Sequence, residues 1–455
     1  MHFLRSHKTE ICIFILAVVV RCLYFGVSYE SRNGDLIATI SGADGYYVIS
    51  ENLIHGNGYS SEGQPPYTLN SVRPPVYPYF LASTYLFFGS YWGTLLIQIL
   101  IGSLLPLIGM AIARYIVDKR SISIVIGILL ALEPFSILFS IFFYSETVFM
   151  LLFSLCVLYF FKFLKEKETI QLVLSAMLLG LSILTKPTAQ YVPIIFAGFI
   201  LWQYRAQLPR ALAYTFGYAL ICLLVVSPWL YRNWHEFGVV GIGGQQGSTL
   251  YTILVPSVLA VKNGTTFQQE FTAILAQGGA DPNKIQISQS AEFVDKSIPI
   301  LLANPWPLSL TFANTGLNFF IHDGMYDVLK HVGKKPEVLL GKPALFLLIS
   351  DPGKIFSYIG NVMFQPIILI LVMRIVWIFI TLACIAGVVR AFRQREMTIY
   401  KTIAAALIIY FMLIALTIGL AINARYRMPV NIFILTFAVY AAAPLLSKVR
   451  YRHAV

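Results

Sequence analysis

The sequence predicts an all-α polytopic membrane protein with about ten transmembrane helices. Three observations carry this. The 455 residues are 58% hydrophobic and only 12% charged, where a soluble domain carries about 25% charged residues. Apolar runs recur at the length a helix needs to cross hydrocarbon. The basic residues gather in short loops at alternate ends of those runs, as the positive-inside bias requires. The net charge of +12 is therefore the signature of a topology, and nucleic acid is not a partner. The five cysteines all lie in apolar runs without Cys-x-x-Cys spacing, so neither a disulfide framework nor a zinc site is indicated.

The first span, about 11–27, follows Arg5, His7 and Lys8. It reads as an uncleaved span with a cytoplasmic N-terminus. The loop 29–91 then faces outward, with 76–89 as a helix at the outer interface. Further spans are expected at about 92–117, 122–141, 145–162, 172–184, 191–202 and 211–229. A polar region follows at 234–365, with amphipathic pieces at 301–320 and 344–358. The last spans are about 367–389, 403–421 and 430–446. The chain thus divides into a transmembrane catalytic module (1–233), an external region (234–365) and C-terminal transmembrane helices (366–455). The basic loops 118–120, 162–167, 203–210, 390–395 and 448–453 all fall on the cytoplasmic side in this register.

That register isolates five exceptions. Arg73, Lys186, Arg232, Arg425 and Arg427 stand at or just inside the outer ends of spans. A cation at the centre of a transmembrane helix costs about 2.5–3.5 kcal/mol on insertion scales and less near the interface. Singly, each could snorkel to outer headgroups. Together, beside external acids, they point to a shared anionic ligand. Arginine suits phosphate because its planar fork donates two parallel hydrogen bonds and stays charged.

The acids sit in the same places. Asp44, in the first outer loop, is the candidate base, since a carboxylate within reach of an acceptor hydroxyl can take its proton. The bland role for it is a cap on the helix that follows. Glu146, at the outer start of a span, is the second candidate, with macrodipole stabilisation as its structural alternative. Either could hold a divalent cation such as Mg, Mn or Zn. Glu133 precedes Pro134 inside a span and is too costly to leave in lipid. It serves either the site or the backbone groups freed at the proline. Tyr46, Tyr47 and Tyr426 neighbour these charges, and the first two also fit as interface aromatics.

In order along the chain, these pieces resemble the GT-C membrane glycosyltransferases, in the polyprenyl- or dolichyl-phosphate-sugar-dependent branch of the protein O-mannosyltransferases and aminoarabinose transferases. The resemblance rests on Asp44, Tyr46, Leu53, Gly56 and Gly58; on Arg73-Pro74-Pro75-x-Tyr77-Pro78; on Ser145-Glu146-Thr147; on Thr185-Lys186-Pro187; on Pro228-Trp229-x-x-Arg232-Asn233; and on Arg425-Tyr426-x-x-Pro429. It implies a GT-C fold, an extracytoplasmic site, a polyprenyl-phosphate sugar donor and inversion at the anomeric carbon. Asp44 and Glu146 match the family's acidic positions, and the five cations become donor-phosphate candidates. Asp44 stands alone where protein mannosyltransferases place two adjacent acids. The acceptor stays open among glycan, lipid and protein. With no ER-retention tail, a bacterial plasma membrane is expected. A transporter or flippase of lipid-linked saccharides is the alternative from another class. A ligase or polymerase using a diphosphate-linked donor would share the outer site.

Overall fold

The computed structural model describes residues 7–276, 285–334, 353 and 368–452, with side chains to residue 443. Every regular element among them is helical. The first half comprises α1 (Lys8–Glu30), α2 (Leu36–Ile40), α3 (Tyr46–Ile54), α4 (Val76–Phe88), α5 (Tyr91–Ile116), α6 (Arg120–Ala131), α7 (Pro134–Phe139), α8 (Glu146–Glu166), α9 (Thr169–Ile183), α10 (Val192–Gln203) and α11 (Leu208–Phe237). A run of shorter helices follows. These are α12 (Gln245–Thr249), a π-turn (Leu250–Leu254), α13 (Val255–Asn263), α14 (Phe267–Ala276), α15 (Ser290–Leu302), α16 (Pro305–Ile321) and α17 (Met325–His331). The chain closes with α18 (Ile368–Arg393), α19 (Ile399–Ala415) and α20 (Asn431–Arg452).

Among the described residues, six helices are long and apolar enough to cross a membrane: α1, α5, α8, α11, α18 and α19 with its 3-10 extension to Ala421. At 1.5 Å per residue, the 23 residues of α1 span about 35 Å, more than the roughly 30 Å hydrocarbon core. Shorter apolar helices cover Arg120–Ala131, Thr169–Ile183 and Met428–Ala443. The chain is a multi-pass membrane protein. Its outward faces carry the apolar side chains of Leu23, Phe216, Leu224, Phe379 and Leu382. Its interior is aromatic: Phe149, Phe153, Phe160, Phe161, Phe163 and Phe196 are buried, with Phe160 stacked on Phe196 at 4.1 Å.

Two expected spans differ in detail. The run 122–141 is not one helix, because Pro134 lacks the N–H an uninterrupted helix would use. The break makes α6 and α7, and Glu133 caps α7 by accepting the Ser136 N–H at 2.5 Å. The run 211–229 continues through Pro228 to Phe237 and stops at Gly238. The amphipathic piece at 344–358 lies outside the described residues, except Gly353. The piece at 301–320 is α16, packed against α18, α19 and the 416–421 turn.

The helix directions sort the chain's polarity. α1, α9, α11 and α19 end, and α8 and α20 begin, where the acids and unusual cations lie. The opposite ends carry Arg120 at the start of α6, Lys165 in the last turn of α8, and Arg390 and Arg393 in the last turn of α18. The first polar loop is tied down at the former end. Ser71 N–H and Oγ both donate to Gln286 Oε1, at 2.8 and 2.6 Å, and Gly244 N–H donates to the Ser71 carbonyl at 3.1 Å.

Candidate functional site

The loop before α3 runs against Tyr144 at Gly42 and turns at Ala43 and Asp44. A Cβ at Gly42 would lie 2.2 Å from the Tyr144 ring, so only glycine lets the loop press against that residue. The Tyr144 hydroxyl accepts the Ala43 N–H at 3.0 Å. Gly45, with φ of 75°, is the N-cap of α3 and donates no side chain to it. Asp44 does not cap either. Its carboxylate points into the bundle end, where Oδ2 accepts from Arg425 Nη2 at 2.6 Å and Oδ1 from Arg73 Nη2 at 3.5 Å.

Glu146 opens α8, where the helix dipole favours an anion. Its Oε1 accepts from Lys186 Nζ at 2.6 Å and from Arg425 Nε. One guanidinium therefore joins two carboxylates, Asp44 and Glu146, that are 381 and 279 residues away in sequence. Among the described residues, three cations (Arg73, Lys186, Arg425) face two carboxylates here. Glu146 is the deepest, with a side chain 2% exposed, against 13% for Lys186, 16% for Asp44 and 20% for Arg425. The last three thus border the opening. Glu146 Oε2 is buried without a partner, which leaves an acceptor atom for an incoming donor.

The surrounding aromatics hold these charges in place. Arg425 lies 4.9 Å over the Tyr144 ring and 5.8 Å over Phe139. Arg73 lies 5.3 Å over Tyr46, and Lys186 lies 5.8 Å from the Tyr426 ring centre. Tyr46 donates to Ser145 Oγ at 3.4 Å and packs edge-on to Tyr77 at 5.1 Å. Tyr77 in turn donates to Gln98 at 2.7 Å, and Gln98 donates to the Phe142 carbonyl at 2.6 Å. The Arg73-Pro74 backbone is fixed by Tyr59, whose hydroxyl donates to both carbonyls at 3.0 and 2.9 Å.

The electrostatics follow from this packing. Burial pushes the Asp44 carboxyl up, but the Arg425 and Arg73 guanidiniums outweigh it and hold the group below its ordinary value. Burial opposes the Arg425 charge, and the Asp44 and Glu146 carboxylates more than restore it. Lys186 is lowered, because burial and the nearby Arg425 outweigh the pull of Glu146.

Four sequence candidates are placed elsewhere. Arg427 is fully buried, lies 3.4 Å over the Trp377 ring, and donates to the Phe319 and Phe320 carbonyls at 3.2 and 2.6 Å. It closes the C-terminus of α16, where a cation is favoured. Arg232 donates to the Asn70 carbonyl at 3.0 Å and to Asn233 at 2.8 Å, with its guanidinium 4.6 Å over Trp229. It braces the outer side of the segment that carries Arg73. Glu133 is the α7 cap described above. Tyr47 packs on Tyr91 at 5.2 Å. Tyr144, Tyr59, Asn70 and Gln98 were not singled out from the sequence. Tyr144, two residues before Glu146, carried the one usable signal.

A divalent cation does not fit between Asp44 and Glu146. Arg425 already bridges them, both Asp44 oxygens are taken by guanidiniums, and among the described residues no group of three His, Cys, Asp or Glu forms.

Residues 72–232 match the family model described as dolichyl-phosphate-mannose-protein mannosyltransferase. This stretch contains Arg73, Glu146 and Lys186. The whole architecture is similar to the oligosaccharyltransferase of Archaeoglobus fulgidus. In its complex with zinc and sulfate, that enzyme superposes with a TM-score of 0.51 and 12% identity, covering 97% of this chain and 50% of its own. The chain carries the GT-C fold. The same enzyme tethered to an acceptor peptide gives a TM-score of 0.52 and 12% identity, over 100% of this chain and 51% of its own. This GT-C chain thus spans about half the length of those relatives. ArnT from Cupriavidus metallidurans bound to undecaprenyl phosphate gives a TM-score of 0.37 and 15% identity, over 94% and 76%. No curated protein sequence matches the chain.

Proposed function

We propose that this GT-C protein is a glycosyltransferase that moves a sugar from a polyprenyl-phosphate donor to an acceptor hydroxyl, at the non-cytoplasmic end of its helix bundle. The single observation that carries the reading is the Arg425 bridge between Asp44 and Glu146, flanked by Arg73 and Lys186. The matched family's description names a lipid-phosphate sugar donor. The basic loops at the opposite helix ends support the non-cytoplasmic orientation, and a bacterial plasma membrane is our placement.

In this reading the donor phosphate lies against Arg73 and Lys186, drawing Arg73 away from Asp44 Oδ1. The acceptor oxygen attacks the anomeric carbon from the opposite side. The bond from that carbon to the phosphate oxygen breaks, polyprenyl phosphate leaves, and the hydroxyl proton passes to Asp44. The anomeric configuration inverts. Asp44 is ionised at neutral pH, as a base must be, and its weak basicity suits a proton taken late, as the phosphate departs. Glu146 holds Lys186 and Arg425 in position. Arg425 supplies the positive charge between the carboxylates that a metal would supply elsewhere.

The test is sugar transfer in membranes containing the protein, from a radiolabelled polyprenyl-phosphate sugar to endogenous acceptor. Asp44→Asn is expected to lower the rate by about 10²–10⁴-fold, the range of a lost general base. An unchanged rate removes Asp44 from the reaction. Donor that changes leaflet without a new glycosidic bond favours the flippase instead.

A further inference from the structure

A cavity of about 220 Å³ opens beside Arg425, with Arg73 and Lys186 absent from its lining. Its floor is formed by the rings of Phe139, Phe142 and Tyr144, and Arg425 forms one wall. Its mouth carries Arg32, just beyond α1, with Asp327 and Lys330 of α17. Arg32 and Lys330 are exposed, and neither has a carboxylate within ion-pair distance among the described residues. Arg425 is already balanced by Asp44 and Glu146. The mouth therefore carries two cations and one acid, Asp327, which lies in the field of Lys330.

The cavity is held by fixed parts. His331 links α17 to α1 and to α2. Its Nε2 donates to the Thr39 carbonyl at 2.9 Å, which leaves Nδ1 an acceptor, 3.1 and 3.2 Å from the Tyr24 and Ser28 hydroxyls. Burial lowers its pKa to about 4, so it adds no charge at neutral pH. Gly324, with φ of 75°, sits so close to Phe135 that a Cβ would fall 2.4 Å from that ring. The start of α17 is thus pressed against α7.

Position assigns the cavity a role. Asp44 has Arg73 on Oδ1 and Arg425 on Oδ2. If the donor takes the Arg73 and Lys186 side, a second substrate must reach the base from the Arg425 side, where this cavity lies. Its Tyr144 wall is bonded to the loop that carries Asp44. The volume is below the roughly 300–1,000 Å³ of sites that enclose a drug-sized ligand. It admits one ring or small headgroup. Aromatic faces below suit the apolar face of a sugar ring, and the exposed Arg32 and Lys330 above, two cations against one acid, suit an oxyanion.

We propose that this cavity is the acceptor subsite, and that it takes a sugar ring or similarly small headgroup bearing one oxyanion, either phosphate or carboxylate. The inference rests on the glycosyltransferase reading above. Its test uses the protein purified in detergent and isothermal titration calorimetry with four probes: glucose 6-phosphate, glucuronate, glucose and inorganic phosphate. The two charged sugars are expected to bind at least tenfold more tightly than glucose and than inorganic phosphate. Arg32→Gln with Lys330→Gln should weaken the charged sugars at least tenfold and leave glucose unchanged. Which charged sugar binds more tightly identifies the oxyanion. No binding of either, binding equal to that of glucose or of phosphate alone, or an unaltered double variant would each overturn the proposal. Binding of polyprenyl phosphate is measured in parallel. If the wild type binds none, the donor reading fails. If both proteins bind it equally while the charged-sugar result is negative, only the acceptor assignment fails.

Discussion

At the residue scale, the behaviour of the cluster is set by one guanidinium shared between two carboxylates. The folded-state pKa of Asp44 lies below its ordinary value, which is about 3.9 in an unfolded chain. The stabilisation from its ion pairs is therefore fully present above that pH and is lost as pH falls through the lower, folded value. Transfer activity should show no acid limb from Asp44 between about pH 5 and 7, measured as the pH dependence of kcat/KM. Lys186 is shifted the other way in effect: its lowered pKa means it discharges at a lower pH than an ordinary lysine. Lys186→Arg should move the alkaline limb of the same profile upward, because arginine stays charged. Since Arg425 occupies the place between the carboxylates, a chelator such as EDTA should leave transfer within about twofold of the untreated rate. A tenfold loss restored by Mg²⁺ or Mn²⁺ would show that a metal displaces Arg425.

At the element scale, helix ends do the positioning. α8 presents Glu146 from its first turn, the chain beyond α9 presents Lys186, and the 3-10 turn after α19 presents Arg425. The break at Glu133-Pro134 gives the bundle a second, buried polar layer that is structural. Glu133→Ala removes the α7 cap and should destabilise the protein by about 0.5–2 kcal/mol, read as a lower thermal midpoint in detergent, with kcat kept in the folded fraction. Gly42→Ala drives a methyl into the Tyr144 ring. It should lower kcat at least tenfold with a smaller effect on the thermal midpoint, because Tyr144 orders the Asp44 loop and underlies Arg425. Most of this layer was readable in the sequence. Apolar periodicity placed the long helices, and the basic loops gave their directions. The break between α6 and α7 was half readable: Pro134 marked it, and Glu133 was left open between the site and the backbone groups freed there, the second being the contact it makes with the Ser136 N–H. Cation positions alone could not separate Arg425 from Arg427. They are two residues apart in a 3-10 turn, so one faces the cluster and the other faces the α16 carbonyls. Only the packing of α16 decides which.

At the scale of the whole molecule, the bundle has one end that gathers the acids with Arg73, Lys186 and Arg425, and one end with the basic loops. The GT-C fold brings segments from the first loop and the last helices to the same place. That convergence is the part no local motif encodes: Asp44 and Arg425 meet across 381 residues. The orientation is open to direct test. A cysteine placed at Gly63, in the first polar loop, should react with a membrane-impermeant maleimide in intact cells. One at Lys167, after α8, should react only after the membrane is opened. The reverse pattern would put the cluster on the cytoplasmic side.

The central claim is that the cations of this cluster grip a prenol-bound phosphate. The most direct measurement is the affinity of the purified protein for polyprenyl phosphate, with the uncharged polyprenol as control, in wild type, Arg73→Gln and Lys186→Gln. Both variants keep Arg425 between the carboxylates. The account predicts at least a tenfold loss of polyprenyl phosphate affinity in each, with polyprenol binding unchanged. Wild-type affinity for polyprenyl phosphate in both variants would contradict it.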